Sequence, residues 1–442
     1  MSKIKKTILV FIALINVFSF QLLAQKSNYS EFIAKKANLI EQKVIAWRHD
    51  IHQNPELGNR EFRTAELIIK HLQSLGIEVK TKVGVTGVVG ILKGDKPGHV
   101  VALRADMDAL PVEEINDLTF ASKVKTMYNG KETNVMHACG HDAHVAILMG
   151  VAEVLVGMKK DLKGTVKFIF QPAEEGAPNG EEGGAKLMVK EGVLENPNVD
   201  VIFGLHMNPK LEAGNLSYRP GGTLAGSSDF KITVKGKPSH GSKPWFSVDP
   251  ILVASQIVVS LQQIVSRNVN LTENAAVVTV GAINGGNRSN IIPSQVEMLG
   301  DVRAFTNEDE NLIYSRIKQI AEKTAEATGA IAMVELPYLG VKYPATYNNV
   351  ALTKIMLPSL QNSAGTENIW LVPANTAAED FSFYSQKVPG LFFGLGGMPK
   401  GKDPKTAAPN HTPEFIIDDT SFNLGVITFC NLVFDYAEIN KK

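Results

Sequence analysis

Between positions 230 and 336 the apolar pattern switches period in a fixed order: strand, helix, strand, strand, helix, strand. The strands are read at 230–234, 275–282, 295–302 and 331–336. Helical spacing covers 250–265 and 308–327. A β-α-β-β-α-β order matches the split βαβ unit, and a block of this size can fold alone. It is embedded in a chain of different character. Helix-like spacing at 32–47 and 62–75 precedes β-branched runs at 85–92 and 99–104. A helix follows at 143–158, with Asp142 available as its N-cap, and buried strands are read at 165–170 and 201–205. After the block come strands at 369–372 and 391–394, a helix around 379–385 between them, and a closing helix at 422–437. Strands alternating with helices predict an α/β domain with a largely parallel sheet covered by helices. That domain occurs in two pieces, 27–226 and 339–442, interrupted by a ferredoxin-like α+β domain at 227–338.

Composition narrows the function. The 442 residues leave room for two or three domains, and with 44% hydrophobic and 20% charged residues a sizeable core is available. Lys+Arg and Asp+Glu both number 45, so there is no basic excess of the kind nucleic-acid or polybasic membrane-surface binders use. Two cysteines, Cys139 and Cys430, give no disulfide framework. Cys430 lies in an apolar helix and reads as core. A Cys139–Cys430 bond is open in an oxidising compartment, but it would consume a metal-ligand type. At the start, Lys3, Lys5 and Lys6 precede an apolar run over 7–23 that ends at Ala24. This reads as a signal peptide, 1–24, cleaved after Ala24, and the run is short and polar-interrupted for a membrane span. The expectation is an exported protein, periplasmic or secreted, with no stable membrane anchor.

Chemistry-bearing residues cluster at five places: 137–144 (HACGHDAH), 171–176 (QPAEEG), 204–206 (GLH), 410–413 (NHTP) and 104–108 (RADMD). Three of these follow expected strands, and ligands of α/β sheets collect at the carboxyl ends of strands. Thiolate, imidazole and carboxylate together suit zinc or another first-row transition metal better than magnesium or calcium. Adjacent Glu174 and Glu175 point in different directions, so one can bind metal while the other serves as a base for water. Each feature has a bland alternative. A lone His206 on a strand is commonly a packed core residue, and a Glu pair is commonly a solvated turn. His137, His141 and His144 crowd together, and only one or two can be ligands. His52 reads as structural.

Taken in order, the motifs RHDIHQNPELGNRE from Arg48, LRADMDALP from Leu103, MHACGHDAH from Met136, QPAEEG from Gln171, GLH from Gly204, GKPSHGSKP from Gly236, NIIP from Asn290, GDVR from Gly300, AEDF from Ala378 and NHTPEF from Asn410 resemble metallopeptidase family 20. The closest branch in pattern holds aminoacylases, hippurate hydrolases and auxin-conjugate amidohydrolases. The resemblance implies a metal-dependent hydrolase of amide or peptide bonds with two divalent ions per subunit, zinc or manganese first, cobalt or nickel as alternatives. It implies Cys139 as bridging ligand, His141, Glu175, His206 and His411 completing the two ions, and Glu174 as general base and acid. Much of the wider family has His-x-Asp where this chain has Asp106-Met107-Asp108; by the resemblance the Cys139-x-His141 pair supplies the missing imidazole and the bridge, the part of Asp106 stays open, and Asp108 matches the Asp that orients a ligand. The inserted domain resembles the family's lid and dimerisation domain, which implies a homodimer. There, His240 matches a histidine that polarises the scissile carbonyl, and Asn290 and Arg303 match positions that hold the substrate carboxylate. For Arg303 a structural ion pair is the competing reading. Trp245 is bulkier than the residue the family usually carries there, which bears on the size of the acyl pocket. The implied substrate is an N-acyl amino acid; a carboxypeptidase or dipeptidase is the alternative activity, and a non-enzymatic binding module the remote one.

Overall fold

The computed structural model describes residues 29–340 and 342–439; the segment read as a signal peptide lies outside the described residues. Helices α1 (Ser30–Gln53) and α2 (Phe62–Ser74) lead into strands β1 (Glu78–Val83), β2 (Gly87–Lys93) and β3 (Lys96–Asp106). Helix α3 (His141–Val156) is followed by β4 (Lys163–Gln171), α4 (Gly184–Lys190), β5 (Val201–Glu212) and β6 (Leu216–Tyr218). The inserted domain comprises β7 (Gly226–Lys235), α5 (Pro250–Arg267), β8 (Ala276–Asn284), β9 (Gln295–Ala304), α6 (Asn307–Ala327) and β10 (Ile331–Glu335). The chain returns through α7 (Val350–Ala364), β11 (Ile369–Leu371), β12 (Gly390–Met398) and α8 (Phe422–Ile439).

The larger sheet has the order β1-β2-β4-β3-β5-β12-β6-β11. Its centre, β4-β3-β5-β12, is parallel throughout. These strands are covered on both faces, so they read as continuous apolar runs rather than alternating ones. Helix α3 packs against β3 on one side and α1 and α8 on the other. Nearly all of its residues are buried, as a helix apolar all round must be. The smaller sheet has the order β8-β9-β7-β10, all neighbours antiparallel. Phe230, Ile232 and Val234 of β7 bury against Ile257 and Leu261 of α5 and Ile313 and Ile317 of α6. Both lid helices start on side-chain caps: Asp249 accepts from Ile251 N and Leu252 N, and Thr306 from Asp309 N. The two chain crossings between domains run side by side, with 221–224 paired to 346–348 and β7 paired to 342–343.

Three local expectations are corrected, and two elements went unread. Helix α3 is capped by Gly140 at φ +93°, not by Asp142, whose carboxylate is taken by Arg48 and His52 instead. The strand expected from position 85 begins at Gly87, because Val85 turns at φ +86° between β1 and β2. Strand β1 is mostly exposed and charged, so it carries no apolar signal. The helix expected at 379–385 shrinks to one turn, Ser382–Ser385, because Glu379 and Asp380 are drawn to Arg104. Helix α7 holds Pro358 in its interior, which hid it from periodicity. Cys430 is buried in α8, and both cysteines are free. Among the described residues, no helix is long and apolar enough to cross a membrane.

Candidate metal centre

The site lies where the parallel strands end. Asp106 is the last residue of β3, and Asp108 follows it by two. Gln171 ends β4, and Glu174 and Glu175 sit on the turn beyond it. Strand β5 runs on to Glu212, so His206 lies within it rather than at its end. Cys139 and His141 flank the Gly140 cap of α3. Only glycine suits that cap: φ is +93°, and a Cβ there would lie 2.8 Å from Met207 Cβ. His411 comes from a loop whose backbone N–H donates to Ala138 O at 2.8 Å, tying it to the Cys139 segment.

The potential ligand atoms form overlapping groups within which all atoms lie within 4.8 Å of one another. One contains Cys139, His141 and His206, a second Cys139, Glu175 and His411, and a third His141, Glu174 and Glu175. Cys139 is thus common to a group on each side. Cys139 Sγ lies 3.4 Å from His206 Nε2, and Glu175 Oε1 lies 2.9 Å from His411 Nε2. His141 Nδ1 bonds Asp108 O at 2.8 Å, and His206 Nδ1 bonds Met207 O at 2.9 Å. Each ring thereby has its Nδ1–H committed and turns Nε2 toward the site, the orientation of a metal-binding histidine. His141 Nε2 is buried without a hydrogen-bond partner, 4.0 Å from both the Glu174 and Glu175 carboxylates. A buried nitrogen held at that distance from two acids fits a cation between them, and the mixed S, N and O donors suit a transition metal.

Electrostatics separate the two glutamates. Burial, with Glu379, Glu175 and Asp380 nearby, pushes the Glu174 carboxyl well above its ordinary range. Burial acts the same way on Glu175, but hydrogen bonding to His411 and the charge of His141 hold it below the usual value. Burial drops His206 to about 3, so its imidazole is neutral. Hydrogen bonding to Cys139 and then to Glu175 lifts His411 to about 10, a proton that an incoming cation displaces.

Beneath the ligands lies a buried charge network. Arg104, fully buried, donates to Asp106, Glu379, Asp380 and Gln171. Asp106 also receives His144 Nδ1, whose Nε2 accepts from Met207 N at 2.8 Å. Both nitrogens of His144 are therefore occupied, and it is not free to bind metal through either. Asp108 accepts from Glu174 N at 3.0 Å and Glu175 N at 2.9 Å, fixing the turn that carries the two glutamates. Removing one partner from a buried pair of this kind costs about 3–5 kcal/mol.

The profile of peptidase family M20/M25/M40 matches residues 102–433. The chain belongs to that family. A thermostable carboxypeptidase 2 from Saccharolobus solfataricus is 39% identical over 404 residues, 90% of this chain and 96% of that protein. An Arabidopsis thaliana IAA-amino acid hydrolase, ILR1-like 4, is 39% identical over 398 residues, 89% of this chain and 85% of that protein. The crystal structure of a dinuclear metal binding M20 peptidase from Bacillus subtilis aligns at TM-score 0.75 and 33% identity, covering 91% of this chain and 99% of that one. The M20 chain is accordingly a metal-dependent hydrolase of amide or peptide bonds, and its sequence fits the aminoacylase, hippurate hydrolase and auxin-conjugate branch.

A cleft of about 490 Å³ opens over the centre. Cys139, Glu174, Glu175, His206 and His411 line it, and beyond them its wall is largely apolar, with Leu224, Val372, Pro373 and Phe392. His240, Asn290 and Arg303 are not among its lining residues. His240 and Asn290 are exposed on a lid tip where Gly241 N donates to Asn290 O at 2.8 Å. His240 Nδ1 accepts from Ser242 N and lies 2.8 Å from Ser242 Oγ. Arg303 Nε donates to Asp301 Oδ2 at 2.8 Å. Trp245 is 71% exposed on the same tip, away from the cleft. The residues whose part was not read from the sequence are the supporting ones: Arg104, Glu379 and Asp380 below the ligands, and Arg48, which joins His52, read as structural, around Asp142. For Arg104 and Arg48 the signal was a charge inside an otherwise apolar strand or buried helix face, which is tolerated only when paired.

Proposed function

We propose that the protein hydrolyses the amide bond of N-acyl amino acids, and that Cys139, His141, His206, Glu175 and His411 would hold two divalent ions, Cys139 being shared between two of the ligand groups. The observation that carries this reading is Cys139 belonging to both ligand groups while Glu174, buried beside them, has its carboxyl raised. Bound ions would supply water activation near neutral pH and polarisation of the substrate carbonyl. Glu174 takes the proton of the attacking water and returns it to the leaving nitrogen as the C–N bond breaks. The water oxygen ends in the released carboxylic acid, and the free amino acid departs. Asp108 keeps Glu174 and His141 in place through the backbone bonds described above.

The apolar wall of Leu224, Val372, Pro373 and Phe392 suits an uncharged acyl group. No lysine or arginine lines the cleft among the described residues. On this reading the substrate carboxylate is met by Asn290 and Arg303 of a lid, and His240 donates to the carbonyl oxygen, both through a homodimer. Support for a lid-mediated dimer comes from the open edge strand β8, with exposed Val277 and Ile283, and from exposed Val259 on α5. Export, periplasmic or secreted, completes the proposal and rests on the basic-then-apolar start of the chain. The similarity to a carboxypeptidase favours a second reading, cleavage of peptides from their carboxyl end. A hydrolysis screen on zinc- or manganese-reconstituted protein separates them. N-acetyl, N-benzoyl and longer N-acyl amino acids are expected to outpace N-blocked peptides in kcat/KM. Faster turnover of the peptides favours the second reading, and no turnover at two ions per chain ends both.

A further inference from the structure

The turn that carries the two glutamates is held from a second side. Three consecutive backbone N–H groups leave it: those of Glu174 and Glu175 reach Asp108, while that of Ala173 donates to Glu61 Oε1 at 2.9 Å. Ala173 itself adopts φ +51°, an uncommon conformation for a residue with a side chain. An isolated turn would relax from that geometry, so something outside it must fix it.

Glu61 precedes α2 as its N-cap, where a carboxylate ordinarily turns back onto its own helix. Here it makes no such bond. Glu56 does that work instead, accepting from Arg63 N at 2.9 Å and Thr64 N at 2.8 Å. Glu61 is left wholly buried, bonded by Thr86 Oγ1 and Ala173 N, with no cation among its hydrogen-bond partners. An unpaired acid in that position is expensive, and the helix does not need it. The neighbouring backbone is shaped to the same turn: a Cβ on Gly58 would lie 2.4 Å from Gly176 O and 3.2 Å from Ala173 Cβ.

We propose that Glu61 is a positioning residue, which with Asp108 clamps the Ala173–Glu175 backbone and so sets the aim of Glu174 and Glu175. The inference rests on the role of Glu174 given above. The test compares Glu61→Ala, Glu61→Gln and Glu174→Gln in full-length protein loaded to two ions per chain, with the best substrate of the screen. Gln keeps an acceptor for Ala173 N; Ala does not. Glu61→Ala is expected to lose about 10²-fold in kcat, the usual consequence of an angstrom-scale misplacement. Its KM should stay within about twofold and Glu61→Gln within about fivefold of wild type in kcat, a pattern that follows from losing alignment rather than binding. Wild-type kcat in Glu61→Ala while Glu174→Gln is inactive overturns the clamp alone. Equal losses in Ala and Gln also overturn it. Full activity in Glu174→Gln overturns the reading of Glu174 and the clamp with it. If Glu61→Ala does not fold, Thr86→Val removes one bond to Glu61 at constant shape. A several-fold fall in its kcat supports the proposal, and an unchanged kcat rejects it.

Discussion

The floor of the cleft and the tip of the lid carry the same kinds of residue under opposite conditions. On the floor, all but His411 of the ligand histidines lie largely inside, and committed partners hold the side chains: His141 on Asp108 O, His206 on Met207 O, Asp106 on Arg104 and His144. At the tip, the His240 side chain bonds only Ser242 of its own loop among the described residues, and Asn290 and Trp245 stand exposed. Floor residues are preorganised, so their geometry is costly to disturb and ready before substrate arrives. Tip residues are cheap to hold in solvent and gain meaning only when another surface closes on them. On the proposed function, the chemistry is built into one domain and the substrate contacts come from another.

The strongest way to break the contrast is to remove the residue on which both ligand groups depend. Cys139→Ala is expected to lose bound metal along with activity, falling well below two ions per chain in elemental analysis of dialysed protein. Retention of both ions would show that the floor does not depend on the shared sulfur. Next in size is Glu174→Gln, which keeps the shape and the hydrogen bond from Asp380 N but cannot take a proton. Turnover should fall by about 10²–10⁴-fold, the range for losing a general base, with metal content unchanged. Near-normal turnover at full loading would assign the proton transfer to another group.

The uneven legibility of the two regions follows from the same physics. Parallel strands end in ligands, so residues as far apart as Asp106, Glu175 and His206 could be assigned to one sheet edge from the strand pattern. The β-α-β-β-α-β block was equally plain, because its strands and helices alternate period clearly. What periodicity cannot show is where a buried charge finds its partner. Arg104 reaches Glu379 and Asp380 across some 275 positions, and Glu61 reaches Ala173 across 112. Asp142 looked like a cap because short acids favour caps, yet Arg48 and His52, ninety-odd positions earlier, outbid its helix. Helix α7 and strand β1 escaped because a proline and a run of exposed charge mask their patterns.

The smallest expected effect belongs to the tip and sharpens the contrast most. His240 is exposed and its only side-chain partner is Ser242, so His240→Ala removes little that the folded chain relies on. Its thermal midpoint should stay close to wild type, since surface changes of this sort fall within about 0.5 kcal/mol. Metal content should also be unchanged, because no ligand contacts the tip. If a lid histidine donates to the carbonyl oxygen as charge develops there, kcat should nonetheless fall by about 10²-fold, the lower end for losing such a donor. That combination, at an exposed residue outside the lining of the cleft, would give the tip a part in the reaction. Mixing His240→Ala with a floor variant, Glu174→Gln, tests the division directly. Each is expected to be crippled alone, but in the proposed homodimer a mixed pair combines one intact floor with one intact tip, and recovered activity would mean that the tip serves the partner's cleft. Activity no higher than the sum of the parents would place tip and floor in the same subunit or remove the tip from the reaction.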